Sequence, residues 1–170
     1  MVKDKDIEIG RMIDSIEGYY LLKMYDEALA EVKNLFKIDK DNLFAHYYEG
    51  LVYLDKKDYR RAQGPFLKIL KLKPDMAEAY VHLAFIYRRT ESLEKAIETI
   101  KKALSIDQDL AIANYNIACY YSQVNQVDIA IDCLRKAINR EKRYAELAKK
   151  DNDFDSIRKN GKFKELINRA

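Results

Sequence analysis

Apolar residues along this chain recur at helical spacing, and the helical pattern itself recurs at a longer fixed period. Tyr80, Leu83, Ala84 and Tyr87 lie at i, i+3, i+4 and i+7, which is one face of a helix with 3.6 residues per turn. A polar stretch, Arg89-Thr90-Glu91-Ser92, follows. Then Leu93, Ala96, Ile97, Ile100, Ala103 and Leu104 make a second apolar face. The same arrangement returns every 34 residues. Tyr19, Tyr53, Tyr87 and Tyr121 form one ladder, and Ala28, Ala62, Ala96 and Ala130 form another. Val32, Phe66, Ile100 and Leu134 make a large apolar column, and Leu35, Ile69, Ala103 and Ala137 a second. Ile38, Leu72 and Ile106 make a third, which Arg140 breaks.

The period predicts four helix–turn–helix units at 9–42, 43–76, 77–110 and 111–144, after a polar segment 1–8 and before a tail 145–170. The alanine ladder has a physical reason. Where two helices cross closely, a larger side chain forces them apart, and such overpacking costs about 1–3 kcal/mol. The tail breaks the period. Ala145 to Ala148 can start a further helix, and Phe154, Ile157, Phe163, Leu166 and Ile167 are placed to cover the apolar end of the fourth unit. An array of stacked helix pairs needs such a cap, because its open end is otherwise an exposed apolar face. One local conflict stands inside the second unit. Gly64-Pro65 interrupts a helical pattern, and proline there removes a backbone bond, so a kink is expected near 61–65.

A 34-residue helix–turn–helix with a small residue (Gly50, Ala84 or Ala118), a tyrosine three residues on and an alanine nine after that resembles the tetratricopeptide repeat. The unit 43–76 resembles it most, through Gly50, Tyr53, Tyr59, Ala62, Phe66 and Pro74. The next two units carry Gln108 and Lys142 in place of the closing proline. The first departs furthest, with Ser15 and Ile16 where a large and a small residue are expected, and Lys40 for proline. The resemblance implies an all-α fold, a right-handed α-solenoid closed by C-terminal capping helices.

Composition narrows the function. The 170 residues include only 5 Gly and 2 Pro, too few turn residues for a β-rich fold. The net charge of +3 gives no argument for a nucleic acid partner. Residues 135–170 carry 12 basic and 6 acidic groups, but the signs are interleaved and stacking aromatics are few, so a solvated cap surface is expected. No apolar run reaches membrane-spanning length. The start of the chain is polar and does not read as a signal peptide. Two cysteines make no disulfide framework. A reducing, cytoplasmic setting is therefore expected.

Catalytic chemistry finds little support. His46 and His82 are the two histidines, Cys119 and Cys133 the two thiols, and none stands in a metal or nucleophile spacing. Asp151, Asp153 and Asp155 imitate the first half of a calcium loop. The match then fails, with Ser156 at the glycine position and Lys162 at the bidentate glutamate position. These acids are read as helix starts. No enzyme activity, metal or cofactor is expected.

The resemblance implies that the first helix of each unit lines a concave groove. Carried over by register, the first unit offers Ile13, Glu17 and Tyr20. The second offers Phe44, Tyr47, Leu51 and Leu54, with Tyr48 and Asp55 nearby. The third offers Glu78, Val81, Phe85 and Arg88, with His82 and Arg89 beside them. The fourth offers Ile112, Tyr115, Cys119 and Ser122, with Asn116 and Gln123 adjacent. Large apolar groups on such a face mark an interaction site. The expected function is an adaptor that binds an apolar or amphipathic segment of another protein. The alternatives are self-association through the groove or the ends of the array, and a groove filled by the chain's own termini. One branch of the family grips chaperone C-termini with Lys and Asn, then Asn, then Lys and Arg. No window of this chain matches that set: the first three units place Ile13 and Glu17, then Tyr48, then Glu78 and His82 there.

Overall fold

Helix pairs build the molecule, as seen in a computed structural model that describes residues 2–169 and the side chains of 5–169. The first pair is α1 (Val2–Leu21) and α2 (Tyr25–Ile38), the second α3 (Leu43–Asp55) and α4 (Tyr59–Leu72). The third is α5 (Ala77–Thr90) and α6 (Leu93–Ile106), the fourth α7 (Ala111–Gln123) and α8 (Val127–Arg140). After them come α9 (Arg143–Lys150), a 3-10 turn (Asn152–Phe154) and α10 (Gly161–Arg169). Among the described residues there is no strand. The stretch read from sequence as a polar leader continues α1 from Val2 onward.

The chain divides into two compact units, Met1–Asp75 with α1–α4 and Met76–Ala170 with α5–α10. Within each, the two helices of a pair pack together, and the following first helix lies on the pair before it. Thus α1 and α2 both contact α3, and α5 and α6 both contact α7.

Local sequence starts and stops these helices. Asn42, Asp58 and Ser92 each accept a hydrogen bond from a backbone N–H three residues on, at 3.1 Å, which satisfies an otherwise orphaned donor. Between paired helices the chain turns through a left-handed residue in three pairs: Lys23, Lys57 and Asn125, with φ of 59°, 58° and 58°. That geometry lets Met24, Asp58 and Gln126 donate back to the carbonyls of Tyr19, Tyr53 and Tyr121 at 2.8–2.9 Å. The third pair turns differently: Glu91 donates to the Tyr87 carbonyl at 2.8 Å. The tyrosine ladder thus supplies the backbone acceptors on which each pair folds back. Three of its rings also carry a cation: Arg61 over Tyr53 at 5.8 Å, Lys95 over Tyr87 at 4.2 Å and Lys101 over Tyr121 at 5.9 Å.

Between the paired helices, Ala28, Ala62, Ala96 and Ala130 are fully buried, as are Phe66, Ile100, Leu134, Leu35 and Ile69. The third apolar column does not join this core. Leu72 and Ile106 are 40% and 42% exposed, because they sit in the last turns of α4 and α6, beyond the helix crossing. At Gly64-Pro65 the helix runs unbroken from Tyr59 to Leu72, and Pro65 is buried.

The crossing is matched in size. A Cβ on Gly50 would stand 2.7 Å from the Phe66 ring, so the small residue on α3 makes room for the large one on α4. At the equivalent positions the partners are Ile16 with Val32, Ala84 with Ile100 and Ala118 with Leu134, all buried. The larger the outer-helix residue, the smaller its inner-helix partner. We expect Gly50→Ala to destabilise the chain by about 1–3 kcal/mol through overpacking. Phe66→Leu in the same chain should return most of that loss, although Phe66→Leu alone is destabilising. Urea denaturation of the two single variants and the double variant measures this coupling.

Candidate interaction faces

The first-helix positions fall on two faces, one in each compact unit. In Met76–Ala170 the face is formed by α5 and α7, and the chain's own tail sits on it. Asp151 ends α9 and is the pivot. Its carboxylate accepts a hydrogen bond from the Tyr115 hydroxyl at 2.8 Å and lies 3.8 Å from the Cys119 sulfur. Its other oxygen accepts from the backbone N–H of Asp153 at 3.0 Å, which starts the 3-10 turn. Asp153 then receives both guanidinium nitrogens of Arg88, at 2.6 and 2.5 Å. Ser156 donates to the Ser122 carbonyl at 2.8 Å, and the two hydroxyls are 3.0 Å apart. Arg158 ties the segment together from behind, bonding the carbonyls of Lys149 and Asp151 and the carboxylate of Asp155.

Apolar packing runs beneath these bonds. Tyr115 stacks on Tyr144 with centroids 4.8 Å apart and meets the edge of Phe154 at 5.7 Å. Phe154 and Phe163 are fully buried and 5.4 Å apart. Tyr115, Cys119 and Arg88, expected from sequence to face a ligand, therefore face residues 144–154. Val81 belongs to the core, at 5% exposure. Of the remaining expected positions in this unit, Ile112 and Arg89 are exposed, while His82, Phe85 and Asn116 are partly so. The Arg89 guanidinium lies over the Phe85 ring at 5.2 Å.

The electrostatics follow from this burial. Desolvation pushes the thiol of Cys119 and the phenols of Tyr115 and Tyr120 well above their ordinary values, reinforced by the nearby carboxylates. All three stay protonated, and Cys119 is not a reactive thiolate. For Arg88, burial opposes the charge, but the paired bonds from Asp153 outweigh it and hold the guanidinium more firmly protonated. Cys119, Asp151 and Asp153 bring possible metal-ligand atoms within 4.8 Å of one another. The cation that balances them is Arg88. Asp155, the third acid of the calcium-like run, is held by Arg158.

In Met1–Asp75 the corresponding face is formed by α1 and α3, and its groups are open. Phe44 is 58% exposed; Glu17 is exposed, and Ile13, Tyr20, Tyr47 and Leu51 are partly so. Four tyrosines cluster there. Tyr20 lies 5.6 Å from Tyr48 and 6.2 Å from Tyr25, and Tyr47 meets Tyr48 edge-on at 5.9 Å. Tyr25 donates to the Asp55 carboxylate at 3.0 Å. Burial, together with the negative neighbours Asp55 and Glu17, pushes the phenols of Tyr20 and Tyr48 up to about 12.

Comparison with known proteins places this fold. A family model described as tetratricopeptide repeat matches residues 75–143. Among solved structures, the MamA protein superposes with a TM-score of 0.73 at 20% identity, over 99% of this chain and 88% of that one. A MamA fragment from Desulfovibrio magneticus RS-1 gives 0.69 at 22% identity, over 79% and 76%. YrrB, described as a tetratricopeptide-repeat protein with an unusual peptide-binding site, gives 0.69 at 16% identity, over 93% and 82%. A sequence search against curated proteins finds no match. The tetratricopeptide-repeat match is confined to residues 75–143, and the chain shares the all-α, helix-pair fold of these solved structures. Among the described residues no helix is long and apolar enough to cross a membrane.

Asp151 and Asp153, expected from the sequence to start helices, also accept hydrogen bonds from Tyr115 and Arg88. The signal was present: Arg88, Tyr115 and Cys119 share the groove register, and a run of alternate acids follows the last repeat. Two measurements test this face. Arg88→Ala should cost about 2–3 kcal/mol, because it leaves a partly buried carboxylate unpaired. Arg88→Lys should recover little, since the two-pronged bond is lost. A double-mutant cycle with Asp153→Ala in urea should return a coupling of about 1–2 kcal/mol. Separately, burial lowers the His82 imidazole from 6.5 to about 4. The unfolded chain takes up that proton as pH falls below about 6.5, whereas the folded chain waits until about 4. His82 stability is therefore full above 6.5 and is lost as pH falls through this window. Replacing it by His82→Gln should flatten the stability-versus-pH curve there relative to the parent chain.

Proposed function

We propose that this chain is a non-enzymatic adaptor that holds an extended or amphipathic segment of another protein against the first-helix faces of its repeats. One observation carries the reading. In the Met76–Ala170 unit such a face already holds an irregular chain segment, 151–156, by a combination of hydrogen-bond donors, Arg88 and Tyr115, and aromatic packing. The face of the Met1–Asp75 unit presents the same register with its aromatic groups exposed. Exposed aromatic anchors with polar neighbours have the composition of binding hot spots. YrrB, a repeat protein of similar fold with an unusual peptide-binding site, supports this use of the fold. A single face of this size supports micromolar affinity, about −8 kcal/mol.

The test is a peptide array probed with the labelled chain. Peptides retained by the parent should lose binding at least about tenfold in Phe44→Ala and Tyr47→Ala, since each removes an aromatic anchor. Circular dichroism of both variants should match the parent. Retention of every peptide by both folded variants removes the α1–α3 face as the site.

A further inference from the structure

The two faces differ in charge, and the occupied one shows what charge does here. On α5 and α7 the charged first-helix positions are Glu78, Arg88 and Arg89, a net positive face. The segment it holds carries Asp151, Asp153 and Asp155 within five residues, and Asp153 is bound by both prongs of Arg88. On α1 and α3 the same positions carry Asp14, Glu17 and Asp55, with no lysine or arginine among them. Around these acids stand the rings of Tyr20, Tyr25, Tyr47 and Tyr48, with Phe44 exposed at the edge. Asp55 is engaged by the Tyr25 hydroxyl, a neutral donor. Tyrosine faces flanked by carboxylates attract a cation twice, through the ring quadrupole and through the charge.

We propose that the α1–α3 face of the Met1–Asp75 unit binds a basic amphipathic segment of a partner protein, seating a lysine or arginine side chain against Tyr20 and Tyr48 between the carboxylates of Glu17 and Asp55. This rests on the adaptor reading above and names the chemistry of its partner. The neighbouring apolar groups, Phe44, Tyr47 and Leu51, take the apolar side of the same segment. The pairing is the charge-reversed counterpart of the one the tail makes on α5 and α7.

The experiment is fluorescence anisotropy with the full chain and three labelled 15-residue amphipathic helical peptides of one design. Their polar face is lysine, glutamate or glutamine. The lysine peptide should bind at least about tenfold more tightly than the glutamate peptide, and the difference should shrink as salt rises. The combined conservative variant Glu17→Gln, Asp55→Asn should weaken the lysine peptide about tenfold, and Tyr20→Leu about fivefold. Tyr20→Phe, which keeps the ring, should bind as the parent does. Asp132→Asn, on α8, serves as the control for non-specific attraction and should change nothing. Equal or tighter binding of the glutamate or glutamine peptide, lost on Phe44→Ala, overturns the charge preference while leaving the adaptor reading in place. Lysine-peptide binding that ignores Glu17, Asp55 and Tyr20, or no binding at all, overturns the proposal. Sedimentation of the free chain supplies the last outcome: self-association abolished by the Glu17→Gln, Asp55→Asn variant assigns the face to a second copy and likewise overturns it.

Discussion

Two helices approach only as closely as the side chains at their crossing permit, and in this chain that limit is set by one matched pair per repeat. Gly50 beneath Phe66 is its extreme form, with no room for a methyl group. Ile16 with Val32 is the opposite extreme, and Ala84 with Ile100 and Ala118 with Leu134 lie between. A larger residue on the second helix is met by a smaller one on the first, so different residue pairs serve the same crossing. The buried alanine ladder keeps the crossing close at the neighbouring turn. All else follows from this spacing. It fixes which side of each first helix is buried, and therefore which residues are left on the interaction faces.

The tail shows how a repeat face and a chain segment fit together. Its contacts combine partly buried charge pairing, a hydrogen bond from a phenol and three aromatic rings in mutual contact. None of these would hold the segment alone. A partly exposed ion pair contributes modestly, and aromatic packing alone sets no register. Together they fix one register, with Asp151 under Tyr115 and Asp153 under Arg88. Burial then feeds back on the chemistry: the Cys119 thiol and Tyr115 phenol are kept neutral, so the acids of the tail meet donors and not competing anions.

Much of this was legible in the sequence because the repeat is a one-dimensional signal. The 34-residue spacing of tyrosines and alanines agrees with the succession of helix pairs α1–α8, and the register assigns the first-helix positions from which an interaction face is proposed. Three things were not legible. The exposure of Leu72 and Ile106 depends on where each helix ends relative to its crossing, and periodicity carries no such information. The continuation of α1 ahead of residue 9 has no repeating apolar pattern, and its residues 5–8 are exposed. The docking of Asp151 and Asp153 is a long-range contact between residues 65 and 36 positions apart, and such partners are fixed by tertiary packing rather than by local pattern. Tyr115 and Cys119 looked like groove residues by register; what register could not say was that the chain's own tail lies against them.

The tail also governs how such an array could grow. A further unit spliced in after residue 144 would carry Asp151, Asp153 and Phe154 away from Arg88 and Tyr115, stranding a half-buried guanidinium and a stacked phenol without their neighbours. Duplication at this end is therefore opposed by the molecule's own architecture, whereas insertion of units upstream leaves the Arg88–Asp153 clasp intact. The length of the array has a preferred direction of expansion, set by the contacts that seat the tail on α5 and α7.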